Sequence, residues 1–154
     1  MGRSAKWGHP PDEQNHCAST TSRSRSRFTD SVHMPRLILD EVLIHPAIRE
    51  RIARHQHDIV SEVQRAVAAH PVVVVGMRQN PFPKKARRAL QLAGVAHHYI
   101  EYGSYFSDWR RRNALKMWTG WPTFPMVFAR GTLIGGADDL QRLIDSGELR
   151  TMLA

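Results

Sequence analysis

Cysteine is almost missing. One thiol, Cys17, occurs in 154 residues, which excludes an internal disulfide framework and a cysteine-rich metal site. It lies in a polar stretch, whereas a reactive thiol needs a fixed electropositive setting, so no catalytic use of Cys17 is expected. Long apolar runs are lacking as well. Nothing approaches the roughly 20 residues that span a bilayer, and no apolar signal core is present, so no membrane partner is expected. Acidic residues are outnumbered, 14 to 22, for a net charge of +8. A basic surface attracts nucleic acid, anionic membranes or small anions. No nucleic-acid motif accompanies the charge, so a solvated basic face is expected and no nucleic-acid partner. The nine histidines lack metal-ligand spacing. His55 and His57 fall two apart on a predicted helix, His97 and His98 alternate on a predicted strand, and no metal site is expected.

Residues 1–33 carry Arg3, Lys6, Arg23, Arg25 and Arg27 against Asp12, Glu13 and Asp30. With almost no apolar residues to bury, they read as a disordered Arg/Ser-rich tail. Two other readings stay open: a transit peptide, against which Asp12, Glu13 and Pro10-Pro11 argue, and a start at Met34. Residues 34–154 read as a single domain.

Within it, Ile48, Ile52, Ile59, Val60, Val63 and Val67 recur at helical spacing from Pro46 onward. The unbroken run Val72 to Val75 predicts a strand buried on both faces, hence central in a sheet. A helix is expected over Lys84 to Ala93, stopped by Gly94, then a strand over Val95 to Glu101. A third helix, Ser107 to Trp118, is expected to bury Trp109 and Leu115. Pro125 to Ala129 and Thr132 to Ile134 read as a hairpin across Arg130-Gly131, and Asp138 to Asp145 as a last helix before a short turn. Strands one and two cross over through a helix and should be parallel; the last two should be antiparallel. The expected fold is α/β, a four-stranded mixed sheet flanked by helices, preceded by an N-terminal helix.

Four motifs stand on this frame. Asn80-Pro81-Phe82-Pro83 opens the helix after the first strand, where Asn suits an N-cap and Pro the first turn. Arg112 and Lys116 lie four apart on one helical face. Trp121-Pro122-Thr123-Phe124-Pro125 precedes the third strand. Gly135-Gly136-Ala137-Asp138 follows the hairpin, with glycines for a tight turn and amides at a helix N-terminus that suit a carboxylate. Together these residues, over about 58–146, resemble a glutaredoxin with its thioredoxin-like fold, most closely the monothiol glutaredoxins, whose site motif is Cys-Gly-Phe-Ser. In that alignment Asn80 stands at the cysteine.

The resemblance implies a cis bond before Pro125 and a glutathione site. Phe124 backbone would pair with the cysteine unit, flanked by Thr123 and Pro125. Arg112 and Lys116 would take the glycine carboxylate, and Gly136, Ala137 and Asp138 the γ-glutamyl end. Arg78 is expected to replace the family's loop lysine, whose place Met77 holds. Arg110 and Arg111 are expected to be solvent charges. Thiol–disulfide exchange needs a thiolate, and Asn80 offers a neutral amide, so no catalytic residue is expected. The bridging iron–sulfur cluster of such proteins uses that thiolate, and a carboxamide is a poor ligand for it, so no cluster is expected. The expected function is glutathione binding without thiol–disulfide turnover, in a cytoplasmic protein. Two alternatives stand beside it: oxidoreductase or cluster-transfer activity through glutathione or partner thiols, and an adaptor that receives a peptide or protein chain in the Trp121–Pro125 groove.

Overall fold

Four valines in succession cannot alternate between core and water, so both faces of their strand must be covered. In the computed structural model, which describes residues 35–104 and 107–154, Val72, Val73, Val74 and Val75 are each 0% exposed. They form β1 (Val72–Gly76), flanked by β2 (His98–Glu101) and β3 (Met126–Ala129), with β4 (Thr132–Gly135) outermost. The sheet order is β2-β1-β3-β4. β1 and β2 are parallel, with Val73 opposite His98, and β3 is antiparallel to β1, with Val72 opposite Ala129. β4 returns antiparallel across Arg130-Gly131, with a register shift at Val127/Phe128. The mixed, helix-flanked sheet is the expected one.

The helices are α1 (Pro46–Arg54), α2 (His57–Ala69), α3 (Pro81–Leu92), α4 (Trp109–Thr119), α5 (Ala137–Asp145) and α6 (Glu148–Leu153). Val73 and Val75 enter one core with Ile59, Val63, Leu115 and Phe128. Val72 and Val74 enter the other with Ala86, Leu90, Leu140 and Leu149. Each fully buried valine contributes about 1.5–3 kcal/mol relative to exposure, so β1 anchors both layers. Its last residue is a glycine for want of side-chain space: a Cβ added at Gly76 would lie 2.7 Å from the Tyr99 ring and 2.9 Å from Pro83.

The compact unit runs from Leu39 to Ala154. Of the other unit, Met1–Ile38, the described residues 35–38 carry no helix or strand. The Arg/Ser-rich segment 1–33, with Cys17, lies outside the described residues.

Several elements differ from the sequence reading. The leading helix is two, because Gln56 takes a left-handed conformation (φ 53°); His55 caps α1 and His57 opens α2, so the two histidines belong to different helices. α3 starts three residues early, at Pro81. The first turn of a helix has unpaired N–H groups in any case, so Pro81 and Pro83 lose nothing there. Only His98 of the His97-His98 pair enters β2, and its ring stacks on His70 at 4.3 Å. Trp109, expected inside, is 55% exposed, while Leu115 is fully buried. The terminal turn is the helix α6, which brings Leu149 into the core.

Candidate functional site

The C-terminal end of β1, the start of α3, the middle of α4 and the loop before β3 meet at one place. Asn80 sits at their junction, 8% exposed. Its Oδ1 accepts from the Phe82 N–H at 2.9 Å, capping α3. Its Nδ2 faces the Phe124 carbonyl at 3.5 Å, a long contact. One side chain therefore addresses both the helix entrance and the loop. The Phe124–Pro125 bond is cis. Thr119 sets the approach to that loop: its Oγ1 donates to the Leu115 carbonyl at 2.8 Å and accepts from the Trp121 N–H at 3.1 Å.

Two cavities lie on either side of Phe124. The first, about 370 Å³, is lined by Asn80, Phe82, Arg112, Lys116, Thr123 and Phe124, together with Met77 and Trp109. The second, about 210 Å³, is lined by Phe82, Thr123, Phe124, Pro125, Gly136, Ala137 and Asp138. Shared walls make them two compartments of one groove.

The first compartment is cationic. Arg112 is 7% exposed, and burying a charge is costly unless hydrogen bonds replace water. Nη1 donates to the Tyr102 carbonyl at 3.3 Å and, very closely, to the Ser107 carbonyl. Those bonds fix the guanidinium and leave its other N–H donors. Among the described residues no carboxylate pairs with it. Lys116 Nζ lies 5.9 Å from the Phe124 ring centroid and is likewise without an acidic partner there. Two cations thus share one wall, as their i, i+4 spacing requires.

The second compartment is built on the N-terminus of α5. Gly135 has φ 106°, and a Cβ there would come within 2.6 Å of Asp139 Oδ2. Asp139 folds back to accept from the Gly136 N–H at 2.9 Å. Asp138, beside it, is exposed and ion-paired with Lys85 at 2.7 Å. That ammonium, by hydrogen bond and by charge, holds the Asp138 carboxyl below its usual value.

Of the residues singled out in the sequence, Asn80, Arg112, Lys116, Thr123, Phe124, Pro125, Gly136, Ala137 and Asp138 line the groove. Arg78 does not. It pairs with Glu101 at 3.2 Å on the β2 side, and Met77 lines the groove in its stead. Arg111 is no free solvent charge either; it bridges α4 to Asp58 at 3.0 Å and Glu62 at 3.9 Å. Lys85 was missed, being 53 positions from Asp138 with no local signal. The capping role of Asp139 was missed as well, although an acid three residues into a helix commonly reaches back to the cap.

A family model described as Glutaredoxin matches residues 72–134. A "Glutaredoxin-like protein" of Dictyostelium discoideum is 46% identical over 98 residues, 64% of this chain and 80% of that protein. "Monothiol glutaredoxin-S17" of Arabidopsis thaliana is 31% identical over 94 residues, 58% of this chain; only 19% of that longer protein is covered. Oxidized glutaredoxin 2 from Chlamydomonas reinhardtii superposes with a TM-score of 0.56 at 29% identity, over 64% of this chain and 92% of that one. Among the described residues no helix is long and apolar enough to cross a membrane.

Proposed function

The chain belongs to the glutaredoxin family, and we propose that it binds glutathione in this groove without thiol–disulfide turnover of its own. One observation carries the reading. The groove has a cationic compartment on one side of Phe124 and a helix N-terminus with an exposed carboxylate on the other. Glutathione is a short extended peptide with a carboxylate at one end and an amino-acid zwitterion at the other. Arg112 and Lys116 would hold the glycine carboxylate. Phe124 backbone would pair with the central unit, with Thr123 and Pro125 shaping the floor. Gly136 and Ala137 amides would take the γ-glutamyl carboxylate, and Asp138 its amine.

Turnover is not expected, because Asn80 supplies a carboxamide already engaged by Phe82 N–H and by the Phe124 carbonyl. A bridging iron–sulfur cluster does not fit this donor set: among the described residues the groove offers no thiolate, and a carboxamide is a poor partner for iron. Without a covalent bond or a metal bond, affinity should be weak, with Kd around 0.1–10 mM, about 3–5 kcal/mol.

An NMR titration with glutathione tests the binding claim. Shifts at Lys116, Phe124 and Ala137 are expected; none at saturating millimolar ligand would sink it. The native protein should reduce no glutathione mixed disulfide, with or without Cys17→Ser. Asn80→Cys places a thiol at the N-terminus of α3, where its pKa is lowered from the free value. If that variant folds and shows neither a lowered thiol pKa nor mixed-disulfide formation, Asn80 does not stand in the nucleophile's place.

A second reading takes support from the prior engagement of both ends. Arg112 already serves backbone carbonyls and Asp138 already holds Lys85. On that reading the Trp121–Pro125 groove receives an extended chain of a partner protein, with backbone pairing at Phe124 and little demand on the end charges. Cross-shifts with an extended peptide but none with glutathione would favour it.

A further inference from the structure

Away from the groove, α4 turns its other face to a further cavity of about 520 Å³, lined on one side by α1 and α2. Ile52, Val60, Met117 and Trp118 give it an apolar lining, and Arg51, His55 and His57 line it as well. Ile52 is 49% exposed and Met117 70%. The acids nearest in sequence are committed elsewhere: Glu50 pairs with Arg54, and Asp58 and Glu62 with Arg111. Arg51 therefore lines an apolar hollow with no carboxylate of its own among the described residues.

The same chain displays the opposite chemistry nearby. In the stretch Leu39-Asp40-Glu41-Val42-Leu43, Glu41–Leu43 forms a short 3₁₀ turn capped by Asp40, which accepts from the Val42 N–H at 3.2 Å. Leu39, Val42 and Leu43 are 64%, 73% and 70% exposed. Apolar side chains at that exposure, interleaved with two acids, complement an apolar cavity that Arg51 also lines. Yet the turn is fastened at the wrong end of α1 to fill its own cavity. Arg49 Nε donates to the Ile44 carbonyl at 2.9 Å, tying the turn to the N-terminal end of α1. Arg51, Ile52 and His55 lie at the C-terminal end of a helix about 13 Å long. Two copies with α1 packed antiparallel resolve the mismatch, because the N-terminal end of each helix then lies against the C-terminal end of the other.

We propose that the chain self-associates in this way: the 39–43 stretch of each copy seats in the α1–α2–α4 cavity of the other, with Asp40 and Glu41 facing Arg51. The interface is isologous and closes on itself. The half-exposed Ile48 and Ile52 meet near the two-fold axis. None of these residues lines the groove around Phe124, so the association stands apart from any ligand there.

The test is sedimentation of the full chain over a concentration series up to about 100 µM, with charge reversal at each half of the contact. A concentration-dependent dimer is expected. Arg51→Glu alone, and Asp40→Lys with Glu41→Lys alone, should each weaken it at least tenfold. An equimolar mixture of those two variants should restore the dimer, since acid then meets base at both contacts. The mixture also controls for folding, as neither variant can rescue the other if it is unfolded. Val42→Asp should give monomer, with circular dichroism unchanged. A monomer at every concentration, or a dimer indifferent to these changes, would overturn the proposal. So would a monomer in which Val42→Asp shifts the amide signals of Met117 and Trp118, because the turn would then be folding back on its own cavity.

Discussion

At the α4 end of the groove the charge is buried and fixed, whereas at the α5 end it is exposed and already borrowed. Arg112 is 7% exposed and held by the Tyr102 and Ser107 carbonyls. Asp138 projects into solvent and pairs with Lys85. Both ends are occupied in the free protein, but the consequences differ. Neutral carbonyls hold the guanidinium without cancelling its charge, so on the proposed reading an incoming carboxylate would meet a cation already oriented and partly desolvated. The Asp138–Lys85 pair is an exposed surface ion pair that water screens, and on the proposed reading a ligand amine would displace the ammonium. Positioning would then come from the α4 end, and the α5 end would add orientation.

Arg112→Ala should break this asymmetry most visibly. It strands two carbonyls and opens space beside α4, so a loss of about 1–3 kcal/mol in denaturant-derived stability is expected. Glutathione binding should weaken on the order of threefold to thirtyfold. Added salt should weaken binding as well, because screening acts on the exposed part of the contact. If Arg112→Ala leaves both stability and affinity unchanged, the α4 end is not an anchor.

Asn80→Ala tests the junction between the ends. Loss of the α3 cap should cost about 1 kcal/mol of stability, read from a shifted denaturation midpoint. Hydrogen exchange should rise first at the Phe82 amide, which Asn80 caps.

Asp138→Ala is expected to leave the denaturation midpoint unchanged, because its exposed ion pair is screened by water. Its effect on binding should add nearly in full to that of Arg112→Ala, since the two residues share no partner. A departure from additivity beyond about fivefold in Kd in the double-variant cycle would mean the two compartments act as one.

Lys85→Ala is the mildest change. Asp138 has its carboxyl pKa lowered by Lys85, so in the variant its titration should move up toward the ordinary carboxylate value. The sign follows from that depression. Any stability from the pair is present above the unfolded-state pKa and fades as pH falls through the lowered one. Because Asp138 is fully exposed, the thermal midpoint should barely respond to pH there. With the competing ammonium removed, glutathione should bind about two- to fivefold more tightly. Carboxyl-carbon NMR during a pH titration, with and without ligand, reads both effects. Weaker binding in Lys85→Ala would assign Lys85, not Asp138, to the γ-glutamyl end.

The frame of the molecule was legible from residues that act locally. An unbroken, β-branched valine run reads as a central strand, Arg130-Gly131 fits a hairpin corner, and Pro81 with Asn80 marks a helix entrance. Arg112 and Lys116 share a wall because a helix puts residues four apart on one face. What the chain by itself did not determine is which charge answers which. Asp138 and Asp139 are adjacent acids, yet one turns back to the Gly136 amide and the other outward to Lys85. Arg78 and Met77 are adjacent too, and only the second faces the groove. The break at Gln56 and the exposure of Trp109 were hidden for the same reason. Periodicity, caps and turns are set by backbone sterics within a few residues, and a sequence records them directly. Ion-pair choice, solvent exposure and the meeting of α1, α2 and α4 around a cavity depend on chain segments tens of residues apart, and packing alone decides them.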